Sequence, residues 1–117
     1  MLAADNVLKK VEAEIGDNWD LSNAHAVDLR TSLVKPPVLL EYKNSWYQAD
    51  KQDHINRMLS SPTLRLWLVL EEHPDTHKGY AIVYDEVANM YGLADAPGSG
   101  DIFIAHYGTF LETFEAM

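Results

Sequence analysis

The densest set of metal-ligating side chains lies in one short segment, Glu71–His77, with the sequence EEHPDTH. Imidazole and carboxylate groups together suit zinc, nickel or manganese, which makes His73, Asp75 and His77 the metal candidates of the chain. Pro74 separates the two histidines in a predicted turn, however, and a turn does not direct both rings at one ion as a helix would. The pattern favours a solvated hairpin loop, so no metal and no other cofactor is predicted. In such a loop, replacing both histidines with Ala would change the stability by less than ~0.5 kcal/mol.

A second arrangement pairs His25 with Asp28, three residues apart in a predicted helix. A carboxylate that orients an imidazole is half of a general-base arrangement. The other half, a nucleophile, is missing, because the chain has no Cys and no Ser in a G-x-S-x-G turn. A chain with 18 acidic residues also places some carboxylates near one another by chance. We therefore predict no catalytic residue, and the sequence favours a protein that is not an enzyme.

The aromatic residues are more numerous than one core stripe needs. Trp and Tyr are favoured at recognition surfaces because they bury a large area at a low cost in conformational entropy. The candidates for a protein interface are Trp46, Tyr47, Trp67, Val69 and Tyr91. They predict binding to a protein partner or self-association as a homodimer. The alternative is that the Trp residues cover an open face of the sheet.

Four side chains define a second hypothesis, a domain that binds or converts a small ligand. Pockets for small molecules are mostly apolar, with a few polar groups that fix the orientation of the ligand. A pocket between the sheet and the helices would draw its polar groups from His25, Tyr84, His106 and Tyr107.

Charge and composition narrow the classes of function. The 117 residues carry 18 acidic and 9 basic side chains, a formal net charge of −9, which argues against binding to nucleic acid or to an anionic membrane. No apolar run approaches the ~20 residues of a transmembrane helix, and the first residues, MLAADNVLKK, lack the apolar core of a signal peptide. We expect a soluble cytoplasmic protein that acts as an interaction module, with an inhibitor or immunity-type role as one form. A DNA mimic is a weaker alternative, because the acidic residues are interleaved with basic ones.

Hydrophobic periodicity predicts the elements that position these residues. Helices are predicted at 6–15 and 22–34, and strands at 38–43, 64–72, 80–85 and 90–94. A terminal helix begins after Asp101 or, because Gly108 disfavours a helix interior, only near Tyr107 with an extra strand at 102–105. The polar residues 48–61 form either a short helix or a loop.

The order of these elements predicts one α+β domain over residues 1–117. We expect a two-layer sandwich in which an antiparallel β-meander of about four strands carries the N-terminal and C-terminal helices on one face. The terminal helix carries an aromatic stripe and should cover the leucine face of the strand at 64–72. The stripe is Phe103, Tyr107, Phe110, Leu111 and Phe114, and the face is Leu64, Leu66, Leu68 and Leu70. The strand at 90–94 would form an edge without charges and pair with a second copy of the chain.

Overall fold

The computed structural model describes residues 2–48 and 61–117, and the bounds given below refer to that part of the chain. Its helices are α1 (Ala4–Ile15), α2 (Leu29–Ser32) and α3 (Phe110–Ala116), with a 3-10 turn at Pro97–Ser99. Its strands are β1 (Leu33–Asn44), β2 (Thr63–His73), β3 (Lys78–Asp85), β4 (Met90–Asp95) and β5 (Ile102–Gly108). The predicted α+β class is confirmed, with five strands in place of about four. None of the described helices is long and apolar enough to cross a membrane.

The choice between helix and loop at 48–61 falls, apart from the two end residues, outside the described residues.

The five strands close into a barrel in the order β1-β2-β3-β4-β5. Each strand runs antiparallel to the next. Because five is an odd number, β1 and β5 point the same way, so the closing pair is parallel; it places Lys43 opposite Ile102 and Asn44 opposite Phe103. The predicted free edge at 90–94 is therefore wrong, since β4 pairs with β3 on one side and with β5 on the other.

The barrel encloses the first of three hydrophobic clusters in the described part of the chain. Every strand contributes to it: Tyr42, Leu66, Val83, Ala94 and Phe103 have no exposed surface and pack in one cluster. Because side chains alternate between the two faces of a strand, their neighbours along the strands point outward, away from the barrel axis. These outward residues of β2, β3 and β4 need a cover.

The second core lies between the outside of the barrel and the helices. From α1 come Val7, Val11 and Ile15, which lie at intervals of four residues in the predicted helix, and all three are fully buried. From α3 come Phe110 and Phe114, which are also fully buried. They pack on outward-facing residues of three strands: Trp67, Val69, Leu70, Ile82, Tyr84, Tyr91 and Leu93. The barrel is thus covered by helices on one side.

A β-bulge separates the leucines of β2 between these two cores. Leu64 and Leu66 lie in the barrel core, and Leu68 lies in a third, smaller cluster with Ala81 and Ala96. The register of β2 against β3 shifts just before Leu70, and Leu70 joins the core under the helices. An extra residue in one strand reverses which face the following side chains take. The terminal helix packs mainly on β4 and β5, and Phe110 and Phe114 share a core with Trp67, Val69 and Leu70. The prediction that it covers the leucine face is wrong, because Leu64 and Leu66 lie inside the barrel.

The predicted helix at 22–34 is also wrong, because only its α2 portion is helical and β1 begins directly after it. Asn23 competes with helix formation: its side-chain oxygen accepts hydrogen bonds from the backbone N–H groups of His25 (3.0 Å) and Val27 (3.2 Å). Its amide group donates to the carbonyl oxygen of Phe114 at 3.0 Å. The segment is consequently a loop that is tied to α3.

The C-terminal aromatic stripe is divided between two elements. Phe103 and Tyr107 lie on β5. The sequence left an extra strand at 102–105 as an alternative, but with Tyr107 at the start of the helix, and the strand instead continues to Gly108. Phe110 and Phe114 lie on α3. Gly108 separates the two pairs with a φ of 101°, a backbone conformation that other residues rarely adopt.

Candidate functional site

An open groove lies where α1, the start of β4 and the junction of β5 with α3 meet. Its volume is about 340 Å³, toward the lower end of the sizes usual for small-molecule sites. Its walls are formed by Lys10, Glu14, Asn89, Met90, Tyr91, Gly108, Thr109 and Glu112. The groove occupies the space between sheet and helices in which a ligand pocket was predicted, but none of the four predicted side chains lines it.

Two carboxylates face this groove, and each has one oxygen engaged in the fold. Glu14 Oε1 accepts a hydrogen bond from the backbone N–H of Phe110 at 3.3 Å. Glu112 Oε1 accepts one from the hydroxyl of Thr109 at 3.0 Å, while that hydroxyl oxygen accepts one from the Glu112 N–H at 3.2 Å. This reciprocal pair caps α3. The other oxygen of Glu14, Oε2, is buried beside the Tyr91 hydroxyl, whereas Glu112 is an exposed residue.

Tyr91 forms the floor of the groove. It is 2% exposed, and its ring packs against the rings of Tyr84 and Phe110, with centroids 4.9 and 5.6 Å away. Its hydroxyl is buried, and neither this atom nor Glu14 Oε2 has a hydrogen-bond partner of good geometry in the described part of the chain. Burial, and then the adjacent Glu14 carboxylate, raise the pKa of Tyr91 well above its ordinary value. The hydroxyl therefore stays protonated at neutral pH, and the Glu14 carboxylate is the acceptor beside it.

Lys10 supplies the cation among the residues that line the groove. Its Nζ is 3.8 Å from Glu14 Oε2, longer than an N–H···O hydrogen bond. The same atom lies 5.6 Å from the centroid of the Tyr84 ring. Lys10 thus offsets part of the negative charge without making a hydrogen bond to Glu14.

Each described histidine lies next to a carboxylate. His77 Nδ1 is 2.7 Å from Glu71 Oε2, and His106 Nε2 is 3.1 Å from Asp85 Oδ2. Glu71 and Asp85 are 4% and 1% exposed, so each imidazole provides a hydrogen bond that a buried carboxylate needs. These pairs stabilise the barrel and do not line the groove.

A third carboxylate, Glu72, fastens the loop before α2 to the barrel. Its Oε2 is hydrogen-bonded to His25 Nδ1 and lies 3.7 Å from His73 Nε2. Its Oε1 accepts a hydrogen bond from the backbone N–H of Tyr80 at 3.0 Å. Burial alone would raise the pKa of Glu72, but the Tyr80 N–H and His25 outweigh burial and hold this pKa below its ordinary value.

We expect His77→Ala to lower the free energy of unfolding by about 1–2 kcal/mol, because it leaves the buried Glu71 carboxylate without its imidazole partner. The control is His73→Ala, which removes a ring 3.7 Å from Glu72 and should change the stability by less than ~0.5 kcal/mol. Urea unfolding of both variants at neutral pH measures the difference. Small and equal effects would show that both positions behave as a solvated loop tip, as the sequence predicted.

The three metal candidates do not converge. Within residues 2–48 and 61–117, no group of three or more His, Asp or Glu side chains is placed to hold a metal ion. His77 contacts Glu71, and Asp75 Oδ1 instead accepts a hydrogen bond from the Thr76 N–H at 3.1 Å.

The four predicted ligand-pocket residues are also spread over the fold. His25 contacts Glu72, and His106 contacts Asp85 on another part of the barrel. Tyr107 is 40% exposed on β5. Tyr84 comes closest to the groove: its hydroxyl donates to Asn89 Oδ1 at 2.7 Å, and Asn89 lines the groove.

The five interface candidates fall into two groups. Trp67, Val69 and Tyr91 are 6%, 1% and 2% exposed and belong to the core under the helices. Trp46 and Tyr47 follow β1 and are 49% and 37% exposed. The five residues therefore do not form one surface, and the predicted two-fold interface centred on Trp67 and Val69 has no exposed centre.

Sequence reasoning did not bring Glu14 and Glu112 together, although a local signal for each was present. Glu14 lies four residues after Lys10 in a predicted helix, the spacing of neighbouring side chains on one helix face. Glu112 lies three residues after Thr109, the spacing of a capping box. These two carboxylates reach one groove because α1 packs against α3. No local sequence pattern predicts that packing.

Comparison with protein families, with curated proteins and with solved structures finds no match to this chain.

Proposed function

We propose that this protein is a non-enzymatic interaction module that binds a basic protein partner, in the manner of an inhibitor or immunity-type protein. The proposal rests on the different environments of the carboxylates on the two sides of the fold. On the barrel, buried carboxylates such as Glu71 and Asp85 contact histidines, and Glu86 accepts hydrogen bonds from the Trp67 indole and the Leu2 N–H. On the helical side, most carboxylates face solvent.

The segments 2–30 and 109–117 form this helical side. Their exposed carboxylates are Asp5, Asp17, Asp20, Asp28, Glu112 and Glu115. Their basic residues are Lys9, Lys10 and Arg30, and Arg30 is already engaged, 2.8 Å from Asp20. An excess of one charge on one side of a protein accelerates association with an oppositely charged partner, by about 10- to 1,000-fold at low salt.

The test is the rate of association with a panel of small basic nucleases of pI above about 9. We expect binding that is faster at ~0.01 M salt than at ~1 M, where the Debye length falls from ~30 to ~3 Å. Asp17→Lys combined with Glu115→Lys should slow association at low salt about tenfold or more. Both side chains are exposed and lie on the helical side.

The matched control is Glu41→Lys combined with Asp75→Lys, which changes the net charge equally on the barrel side. It should slow association at most about threefold, because those charges lie away from the proposed contact. Rates that are indifferent to salt, or equal losses in the two double variants, would contradict binding through the helical side. If no nuclease in the panel bound, the proposal that the partner is a basic protein would be contradicted.

A further inference from the structure

The exposed apolar side chains of the protein are concentrated at one place on the barrel. Of the eight large hydrophobic residues that are exposed in the described part of the chain, four lie on β5 or directly after β1: Trp46, Tyr47, Ile102 and Tyr107. Apolar patches on the surface of a soluble protein mark interaction sites. We propose that this region is the interface of a homodimer.

Strand pairing places the residues of this region next to one another. Lys43 of β1 lies opposite Ile102 of β5, and Glu41 of β1 lies opposite Arg65 of β2. Their neighbours along each strand belong to the barrel core, so these four side chains point outward, and all four residues are exposed. Together with Trp46 they form a surface that we call the seam face, because it lies where β5 closes the barrel on β1.

Trp46 is held in place on the seam face by its indole. The indole N–H donates a hydrogen bond to the carbonyl oxygen of Ile104 on β5. The hydroxyl of the preceding residue, Ser45, donates one to the carbonyl oxygen of Phe103 at 2.7 Å. Trp46 is nevertheless 49% exposed. A Trp that is already fixed in position is suited to be the anchor of an interface, because little side-chain entropy is left to lose on association.

The charges around the seam face favour a second copy of this chain over a strongly charged partner. Arg65 lies opposite Glu41, and the backbone N–H of Lys43 donates to the carbonyl oxygen of Asp101 at 2.8 Å, so basic and acidic residues alternate here. Two copies with a net charge of −9 each repel one another least where the local charge is balanced. A two-fold interface is self-complementary, and a face that carries both signs can pair the basic residues of one copy with the acidic residues of the other.

The dimer does not rest on the proposed function. The seam face belongs to β1, β2, β5 and the turn after β1, and it shares no residue with the helical side, 2–30 and 109–117. Within the seam face, β5 has the sequence IFIAHYG, without Asp, Glu, Lys or Arg. Such a strand lacks the charged side chains that keep exposed sheet surfaces from associating. The homodimer and the basic partner can therefore be tested separately.

The experiment measures the mass of the intact protein by sedimentation equilibrium over a range of concentrations. We expect the mean mass to rise from the 13.2 kDa of one chain toward twice that value, with a dissociation constant in the micromolar range. Ile102→Lys places a charge in the apolar part of the seam face and should weaken the dimer about tenfold or more. The matched control is Val87→Lys, the same change in charge at a residue that is 72% exposed in another turn, which should alter the affinity less than about twofold.

A second pair of variants tests the charges. Lys43→Glu makes the seam face acidic and should weaken the dimer about tenfold at low salt, and less at high salt, where charges are screened. Lys78→Glu changes the net charge equally at an exposed position outside the seam face and should weaken the dimer at most about threefold. Circular dichroism and urea unfolding of each variant show whether the fold is kept.

A mass of 13.2 kDa at every concentration would overturn the proposal. So would equal effects of Ile102→Lys and Val87→Lys, since the copies would then associate through a different surface. Equal losses in Lys43→Glu and Lys78→Glu would show general repulsion in place of a local contact, and would also overturn it. A dimer that Ile102→Lys and Lys43→Glu weaken, while both controls and the fold are unaffected, supports the seam face as the interface.

Discussion

Val69→Asp is expected to unfold the protein at neutral pH. Val69 is 1% exposed and packs in the core between β2 and the helices. The substitution loses a buried Val, which contributes roughly 1.5–3 kcal/mol, and places a carboxylate in an apolar site at a cost of several kcal/mol. The sum approaches the total stability of about 5–15 kcal/mol that a domain usually has. Circular dichroism and urea unfolding would measure the loss.

Val87→Asp is the matched control, because Val87 is 72% exposed in the turn between β3 and β4. The same chemical change there should alter the free energy of unfolding by less than ~0.5 kcal/mol. The sequence placed Val69 at a dimer interface, and on that hypothesis Val69→Asp would give a folded monomer. A cooperative unfolding transition like that of the unmodified protein would show that Val69 lies on a surface and contradict the core described above.

Local sequence pattern predicts correctly those elements in which the buried residues recur at one regular spacing. Val7, Val11 and Ile15 lie at intervals of four residues, and all three are buried on α1. Gly16 follows them with a positive φ of 55°, which glycine adopts without strain, and α1 ends at Ile15 as the predicted span 6–15 required. The strands β2, β3 and β4 likewise extend the predicted spans by two residues or fewer at either end. In these strands, the alternation of side chains along the sequence is enough to identify which residues share a face.

The features that local pattern missed depend on contacts between distant residues. Asn23 bonds to its own loop and to Phe114, which replaces the helix that its apolar neighbours predicted. The bulge in β2 moves Leu70 from the barrel core to the helical core, and no period in the sequence marks it. Closure of β1 on β5 joins residues about sixty positions apart and removes the predicted edge. The groove has the same origin, since its carboxylates come from opposite ends of the chain.

Phe110→Ala is the second large effect that we expect. Phe110 has no exposed surface; it contacts the edge of Tyr91 at a centroid distance of 5.6 Å and stacks with Phe114 at 6.4 Å. Truncation of a core Phe costs about 3–5 kcal/mol, through lost transfer energy and the cavity that remains. Because Phe110 begins α3 and its N–H bonds to Glu14, the cavity would also loosen the contact between α3 and α1. Urea unfolding should show a lower midpoint with little change in slope.

Tyr107→Ala is the control for this prediction, since it removes a larger aromatic side chain that is 40% exposed on β5. We expect it to cost about 1 kcal/mol or less, because a half-exposed ring gains little from burial. The two residues belong to one aromatic stripe in the sequence, and a single terminal helix would give them similar costs. If Tyr107 lies on the surface of a strand and Phe110 in the core under a helix, the losses in free energy of unfolding should differ by about 2 kcal/mol or more. Equal losses would mean that both rings pack in the same core, and the division between β5 and α3 at Gly108 would then be wrong.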